Sequence, residues 1–414
     1  MSISASNYKT ERLYTDTILI PNMAPVQFGL LQAALESEGM HCVMLGSESR
    51  RAAELGLKYV HNDTCYPAVL IIGQFLEALE SGQYDPAHTS LLITQTGGGC
   101  RASNYYRLLK KALARAGYEN IPVLSANFSG LEKDSSLPVS LRLLKKAAAA
   151  VWYGDEIFAL RNQVKPYEIH EGETESLAEG WLKQCAAWIR KGKNISPFQM
   201  KRNFRKIAND FAEIATEKTG KIKVGVVGEI FVKFSPLGNN ELVKFLEEEG
   251  CEVNMPGLMG FVEYCIANYG IDIQLYGGAR YIEKGAKLML RMFDNIGKSM
   301  SRALRKSGFY APCSFFELMK KPEGIIHLGA KMGEGWLLTA EMAELIEGGY
   351  ANIVCAQPFG CLPNHIAGKG VINRLRQKYP EANITPVDYD PGASRVNQEN
   401  RIRLMLAVAN ENLK

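Results

Sequence analysis

Apolar and polar positions follow one plan twice along the chain. Thr17-Ile18-Leu19-Ile20 is a continuous apolar run of strand length, and an amphipathic segment from Val26 to Glu38 follows it. Gly39 marks the end of that helix, and Cys42-Val43-Met44-Leu45 opens a second strand. In the second half, Lys223-Val224-Gly225-Val226-Val227 predicts a strand and Asn240 to Glu247 a helix, then Gly250 a stop and Cys251-Glu252-Val253 the next strand. Leu91-Leu92-Ile93-Thr94, Ile121-Pro122-Val123-Leu124, Ile325-Ile326-His327-Leu328 and Asn352-Ile353-Val354-Cys355-Ala356 predict further buried strands. Strands alternating with helices predict an α/β protein with parallel sheets wound by right-handed crossovers, in two related copies.

Length fits this division, because 414 residues exceed what one hydrophobic core usually organises. The expected organisation is an N-terminal α/β domain over 1–165, a helical connector over 166–220, and a C-terminal α/β domain over 221–414 with a helical insertion at about 261–320. The connector is expected from the charged, helix-forming stretch Glu175 to Lys218, with Trp181, Ile189 and Phe211 as its apolar side. The insertion contains Lys287-Leu288-Met289-Leu290-Arg291-Met292-Phe293, read as core or interface packing.

Hydrophobic content of 46% and charged content of 22% are those of a globular chain, and the net charge of +4 is spread without a basic block. Nucleic acid is therefore not expected as a partner. The opening Met1-Ser2-Ile3-Ser4-Ala5-Ser6-Asn7-Tyr8-Lys9 has no apolar core and no segment reaches membrane-spanning length, so a cytoplasmic protein without membrane association is expected. Nine cysteines without any C-x-x-C argue against a disulfide scaffold, a zinc ribbon or a dithiol redox motif.

Three of the nine stand out by context: Asp63-Thr64-Cys65-Tyr66-Pro67, Gly97-Gly98-Gly99-Cys100-Arg101 and Pro358-Phe359-Gly360-Cys361-Leu362-Pro363. A helix starting just after a cysteine aims free N–H groups and the positive dipole end at a thiolate, and proline suits the first turn. A glycine triplet lets the backbone approach a bulky inorganic group. Cys65, Cys100 and Cys361 are thus candidate ligands of an iron–sulfur cluster, set against the plainer reading of buried cysteines and a tight turn. The Cys-x-Pro of both halves suggests that Cys65 and Cys361 are equivalent. Cys42, Cys251, Cys185 and Cys265 read as structural, whereas Cys313 and Cys355 are reserve ligands, with Cys355 ending a buried strand. His61 and His365 are candidate supporting donors or acid–base groups. Arg101 is a candidate for neutralising cluster charge, and Glu229 for facing the same cleft. Gly297-Lys298-Ser299 lacks the first glycine of a P-loop, Gly333-Glu334-Gly335 lacks the third small residue of a dinucleotide fingerprint, and neither H-E-x-x-H nor G-x-S-x-G occurs.

With Asn62-Asp63-Thr64-Cys65-Tyr66-Pro67, Gly99-Cys100-Arg101 and Tyr105, Lys165-Pro166-Tyr167-Glu168, Gly172-Glu173-Thr174, Gly225-Val226-Val227-Gly228-Glu229-Ile230 and Pro358 to Pro363 in this order, the chain resembles the 2-hydroxyacyl-CoA dehydratase and benzoyl-CoA reductase superfamily. The similarity runs from Thr17 to about Met405 and is closest to the C-terminal, dehydratase-like module of large activase-related proteins. The resemblance implies two flavodoxin-like, doubly wound domains holding one 4Fe-4S cluster through Cys65, Cys100 and Cys361. It further implies single-electron transfer from a separate ATP-hydrolysing iron–sulfur activator, an acyl-CoA substrate for dehydration or reduction, anaerobic metabolism, and a homo- or heterodimer. Two alternatives stay open: a non-catalytic cluster-binding or activator-associated accessory protein, and a double-cubane iron–sulfur reductase of small non-CoA substrates. No CoA pocket is legible in the residues.

Overall fold

The computed structural model describes residues 12–46, 50–61, 63–95, 99–126, 136–217 and 219–412. The opening segment, Asn62, Gly97, Gly98 and Lys218 lie outside the described residues. Two four-stranded, all-parallel sheets form the frame. The first runs through β1 (Thr17–Pro21), α1 (Pro25–Glu36), β2 (His41–Leu45), α2 (Arg50–Tyr59), α3 (Tyr66–Glu80), β3 (Thr89–Thr94), α4 (Tyr105–Arg115) and β4 (Val123–Ala126), with strand order β2-β1-β3-β4. Ile18, Leu19, Leu91 and Ile93 are buried, as expected for strands covered by helices on both faces.

Three helices lead to the second sheet: α5 (Leu141–Val164), α6 (Glu173–Lys191) and α7 (Pro197–Ala212). Ser140 caps α5 and Ser196 forms a capping box with Gln199 at α7, while Gly192 ends α6 in the left-handed region at φ +63. The second lobe comprises β5 (Lys223–Gly228), α8 (Ile230–Phe234), α9 (Leu242–Glu248), β6 (Glu252–Asn254), α10 (Leu258–Tyr276), α11 (Arg280–Lys306), α12 (Trp336–Glu347), β7 (Asn352–Pro358), α13 (Ile372–Lys378), β8 (Asn383–Tyr389) and α14 (Arg395–Asn412). Its order, β6-β5-β7-β8, repeats that of the first sheet.

The lobes share a core. Buried Trp152, Tyr153 and Ile157 of α5 belong to one contiguous apolar cluster with Leu91 of the first sheet and Val224 and Val226 of the second. Burying a large apolar side chain is worth about 1.5–3 kcal/mol, so this shared cluster ties the lobes together strongly. The α10–α11 insertion has its own core of Tyr264, Leu290, Phe315 and Trp336. Among the described residues no helix is long and apolar enough to cross a membrane.

Two expectations are corrected and a third is narrowed. Ile325 to Leu328 forms turns rather than a strand; Pro322, Gly324 and Gly329 interrupt a ladder, and Ile325 is buried as a loop anchor. In the methionine-rich run the core reading holds for Leu290 alone; Leu288, Met289 and Met292 are exposed, because α11 packs along one edge only, which leaves them the interface reading. Finally, Cys361 follows β7, the counterpart of β3, so its topological equivalent is Cys100 and not Cys65, which follows α2.

Candidate cysteine site between the lobes

Parallel strands point all their carboxyl ends to one edge, and the order reversal at β1/β3 and β5/β7 opens a crevice there. The three singled-out cysteines sit on this edge. Cys65 is the N-cap of α3, with a proline in its first turn. Cys100 is the N-cap of a one-turn 3-10 helix, Arg101–Asn104, that runs into α4. Cys361 is the N-cap of the short turn Leu362–Asn364, which continues as a π-helical turn, His365–Lys369. None of the three thiols closes a capping hydrogen bond, yet the amides of Ala68, Ala102 and Asn364 stand where they favour the respective thiolates.

All three thiols feel Glu229, and Cys100 and Cys361 feel Glu334 as well. Burial pushes Cys65 up to about 11 and Cys100 up to about 12, and raises Cys361 as well. After burial, the main raising influences on Cys100 and Cys361 are Glu334 and Glu229, and Glu229 also acts on Cys65. Glu334 is itself buried; it accepts from the Ile230 amide at 3.1 Å and from Asn364 Nδ2 at 3.2 Å, and Asn364 Nδ2 also reaches Cys361 Sγ at 3.5 Å. Glu229 caps α8 through the Val232 amide at 2.8 Å. Burial raises both carboxyls, and Glu334 raises Glu229 further. Lys233 acts on both from a buried position while paired with Glu341 at 3.3 Å. Three buried thiols beside two buried carboxyls, where Lys233 offsets the carboxyls alone, stay protonated unless a cationic centre takes them as thiolates.

The walls bring both lobes within contact. Cys65 Sγ lies 2.9 Å from Tyr105 Oη, and Arg101 donates to the Asp63 carbonyl at 2.8 Å, joining the first two cysteine loops. Arg101 also lowers Cys65, after the larger effects of burial and hydrogen bonding. From the second lobe, Met332 Sδ accepts from the Gly99 amide at 3.2 Å. Gly333, at φ +58, passes so near that a Cβ there would lie 3.0 Å from Pro363 Cβ and 4.0 Å from Cys100 Sγ. Phe359, Leu362 and Ile366, close in sequence to Cys361, and Met332 on Gly99 are exposed apolar side chains beside the thiols.

The other candidates separate clearly. His365 Nδ1 is 2.8 Å from the Cys361 carbonyl and its Nε2 is 3.6 Å from Asp388, so it braces the Cys361 turn. His61 pairs with Asp63 on the exposed surface. Cys355 is fully buried in β7 against Gly368, and Cys313 lies half-buried with its amide on Glu344; neither is influenced by Glu229 or Glu334. Cys42, Cys185 and Cys251 are core residues. Cys265 on α10 differs: the residue is exposed, but its thiol is raised by burial and then by Glu334, which places it beside the site. Its helical setting gave no such signal. Glu334 did carry one in Gly333-Glu334-Gly335, where the glycines serve close approach and not a nucleotide: Gly335 at φ +44 leaves a Cβ only 2.2 Å from the Ala330 carbonyl.

Among the described residues no three His, Cys, Asp or Glu side chains stand close enough to hold a single metal ion. A cubane binds each thiolate at a different corner and needs them farther apart than one ion does. Soft thiol donors at three helix starts, with Gly333 letting the second lobe pack close to Cys100, are donor chemistry that fits such a group. No family model and no curated protein matches the chain.

Proposed function

We propose that this chain is a cytoplasmic iron–sulfur protein of the 2-hydroxyacyl-CoA dehydratase and benzoyl-CoA reductase type, with Cys65, Cys100 and Cys361 as ligands of a 4Fe-4S cluster. The observation that supports the reading is that three N-cap cysteines, two from the first lobe and one from the second, all face Glu229, while Gly333 of the second lobe packs between Pro363 and Cys100. When bound, such a cluster supplies one-electron redox chemistry and, with only three protein ligands, a Lewis-acidic iron. The chain's own residues bind and shape. The thiols hold; Asn364 orients Cys361 through the Glu334 carboxylate; Gly99 and Gly333 let Met332 and Pro363 pack close beside Cys100. Lys233 offsets negative charge, and the two carboxyls can retain protons beside the site. Met332, Phe359, Leu362 and Ile366 exclude water once a partner or substrate covers them.

In this reading a separate ATP-hydrolysing activator supplies single electrons, and an acyl-CoA is dehydrated or reduced at the crevice. Iron and acid-labile sulfide counted on anaerobically prepared protein test it. About four irons per chain are expected, falling in Cys65→Ala, Cys100→Ala and Cys361→Ala alike. About eight irons would point instead to a double cubane, and a full cluster without turnover of any acyl-CoA to an accessory role. Protein that takes up no iron under anaerobic reconstitution overturns the proposal.

A further inference from the structure

A second polar centre lies away from the thiols. A cavity of about 110 Å³ separates α5 of the first lobe from α10, α11 and α12 of the second. Five carboxyl groups line it, Asp155, Glu263, Asp294, Glu341 and Glu344, against one lining cation, Lys298. Four of the five are accounted for. Asp155 accepts from Gln27 and from the Leu258 and Met259 amides at 2.8–3.0 Å. Asp294 pairs with Lys298 at 2.7 Å, Glu341 with Lys233 at 3.3 Å, and Glu344 accepts from the Cys313 amide at 2.6 Å.

Glu263 has nothing. It is 6% exposed, makes no ion pair, and its Oε1 has no hydrogen-bond partner among the described residues. A buried carboxyl without a partner costs several kcal/mol if charged, and protonation leaves its oxygens still unmatched. One donor of the same lining is also unmatched: Trp152 is 4% exposed, and its Nε1 has no acceptor among the described residues.

These facts define the class of ligand that the cavity fits. It is cationic, because the lining carries an excess of carboxyls. It is not a metal ion, since no three such ligands converge closely enough among the described residues. An ammonium group spreads its donors over longer hydrogen bonds and suits separated acceptors. Met259, Met300, Leu304 and Phe315 give the remaining wall an apolar character fit for methylene groups. The volume is below the roughly 150 Å³ that holds benzene, which limits the occupant to about five heavy atoms. An oxygen that accepts from Trp152 completes it.

We propose that this cavity binds a small protonated amine bearing a hydroxyl group, with the ammonium on Glu263 and the hydroxyl oxygen on Trp152 Nε1. The proposal is independent of the thiol site and of its cluster.

Calorimetric titration of the intact protein with 3-aminopropan-1-ol, and with propan-1-ol as the uncharged comparator, tests it. Saturable binding of the amino alcohol is expected, with no saturable heat from propan-1-ol. Glu263→Gln is expected to weaken binding at least about tenfold, and Trp152→Phe about fivefold, the worth of one neutral hydrogen bond. Glu263→Gln puts a neutral group of the same shape in place of a carboxyl that burial keeps protonated, and should not lower the thermal midpoint; if it nevertheless fails to fold, Trp152→Phe and propan-1-ol decide alone. Absence of saturation up to about 50 mM, equal affinity in Glu263→Gln, or equal binding of propan-1-ol each overturns the proposal and leaves a cavity filled by water.

Discussion

Gly333 stands over Cys100 with room for a hydrogen but not for a side chain: a Cβ there would come within 3.0 Å of Pro363 and 4.0 Å of Cys100 Sγ. The glycine also sits at φ +58, which costs an L-residue about 1–2 kcal/mol. Gly349, at φ +86 with nothing within 4 Å of its Cβ position, isolates the conformational cost alone. Gly333→Ala should therefore lower the thermal midpoint more than Gly349→Ala does. It alone should reduce iron uptake during anaerobic reconstitution. Equal iron content in the two variants would show that the close approach has no bearing on the site.

Tyr105 and Cys65 share a short contact of 2.9 Å, and the phenol is a partner that favours the thiolate. Tyr105→Phe removes it while keeping the ring buried. In metal-free protein, iodoacetamide should then alkylate Cys65 about three- to tenfold more slowly at one fixed alkaline pH, the equivalent of one hydrogen bond. Site-resolved mass spectrometry reads the rate. A faster reaction would mean that the phenol accepts from the thiol instead.

Local pattern made the frame legible and left the site half-written. Ile18-Leu19-Ile20 and Val224 to Val227 are apolar runs that only a covered strand explains, and both fall in the central strands of their sheets. β8 was silent because Asn383, Thr385 and Asp388 break its apolar run, half-buried where α14 covers one face. α5 was silent for the opposite reason: wedged between both lobes, it buries residues all round and shows no polar stripe to read. The cysteines announced themselves through proline and glycine neighbours. Asn364 and Cys265 could not, and Glu334 showed only its flanking glycines, because their closeness to the thiols comes from long-range packing that no spacing along the chain records.

Lys233 and Glu341, 4% and 2% exposed, face each other at 3.3 Å below the thiol site. Removing one member strands the other. Lys233→Met should cost about 3–5 kcal/mol in urea denaturation, and the double variant Lys233→Met with Glu341→Leu should recover most of that loss. A double variant no better than the single one would show that Lys233 serves Glu229 and Glu334 more than it serves Glu341.

Glu156 offers the clearest pH signature. It is fully buried on α5, both carboxyl oxygens lack partners among the described residues, and burial alone raises it well above the usual carboxylate range. The folded protein therefore keeps this proton at pH values where the unfolded chain has already released it. Fewer protons on the unfolded state mean that stability falls as pH rises above the ordinary glutamate value, by up to about 1.4 kcal/mol per pH unit, until the folded-state group ionises. Below that value the contribution is flat. Glu156→Met removes both the titration and the unmatched oxygens, so it should raise stability by about 1–3 kcal/mol at neutral pH and flatten this part of the slope. Urea midpoints measured from about pH 4.5 to 8 for both proteins test the sign. A slope unchanged by the substitution would place a counter-charge or a solvent path beside Glu156 and refute its burial as a neutral acid.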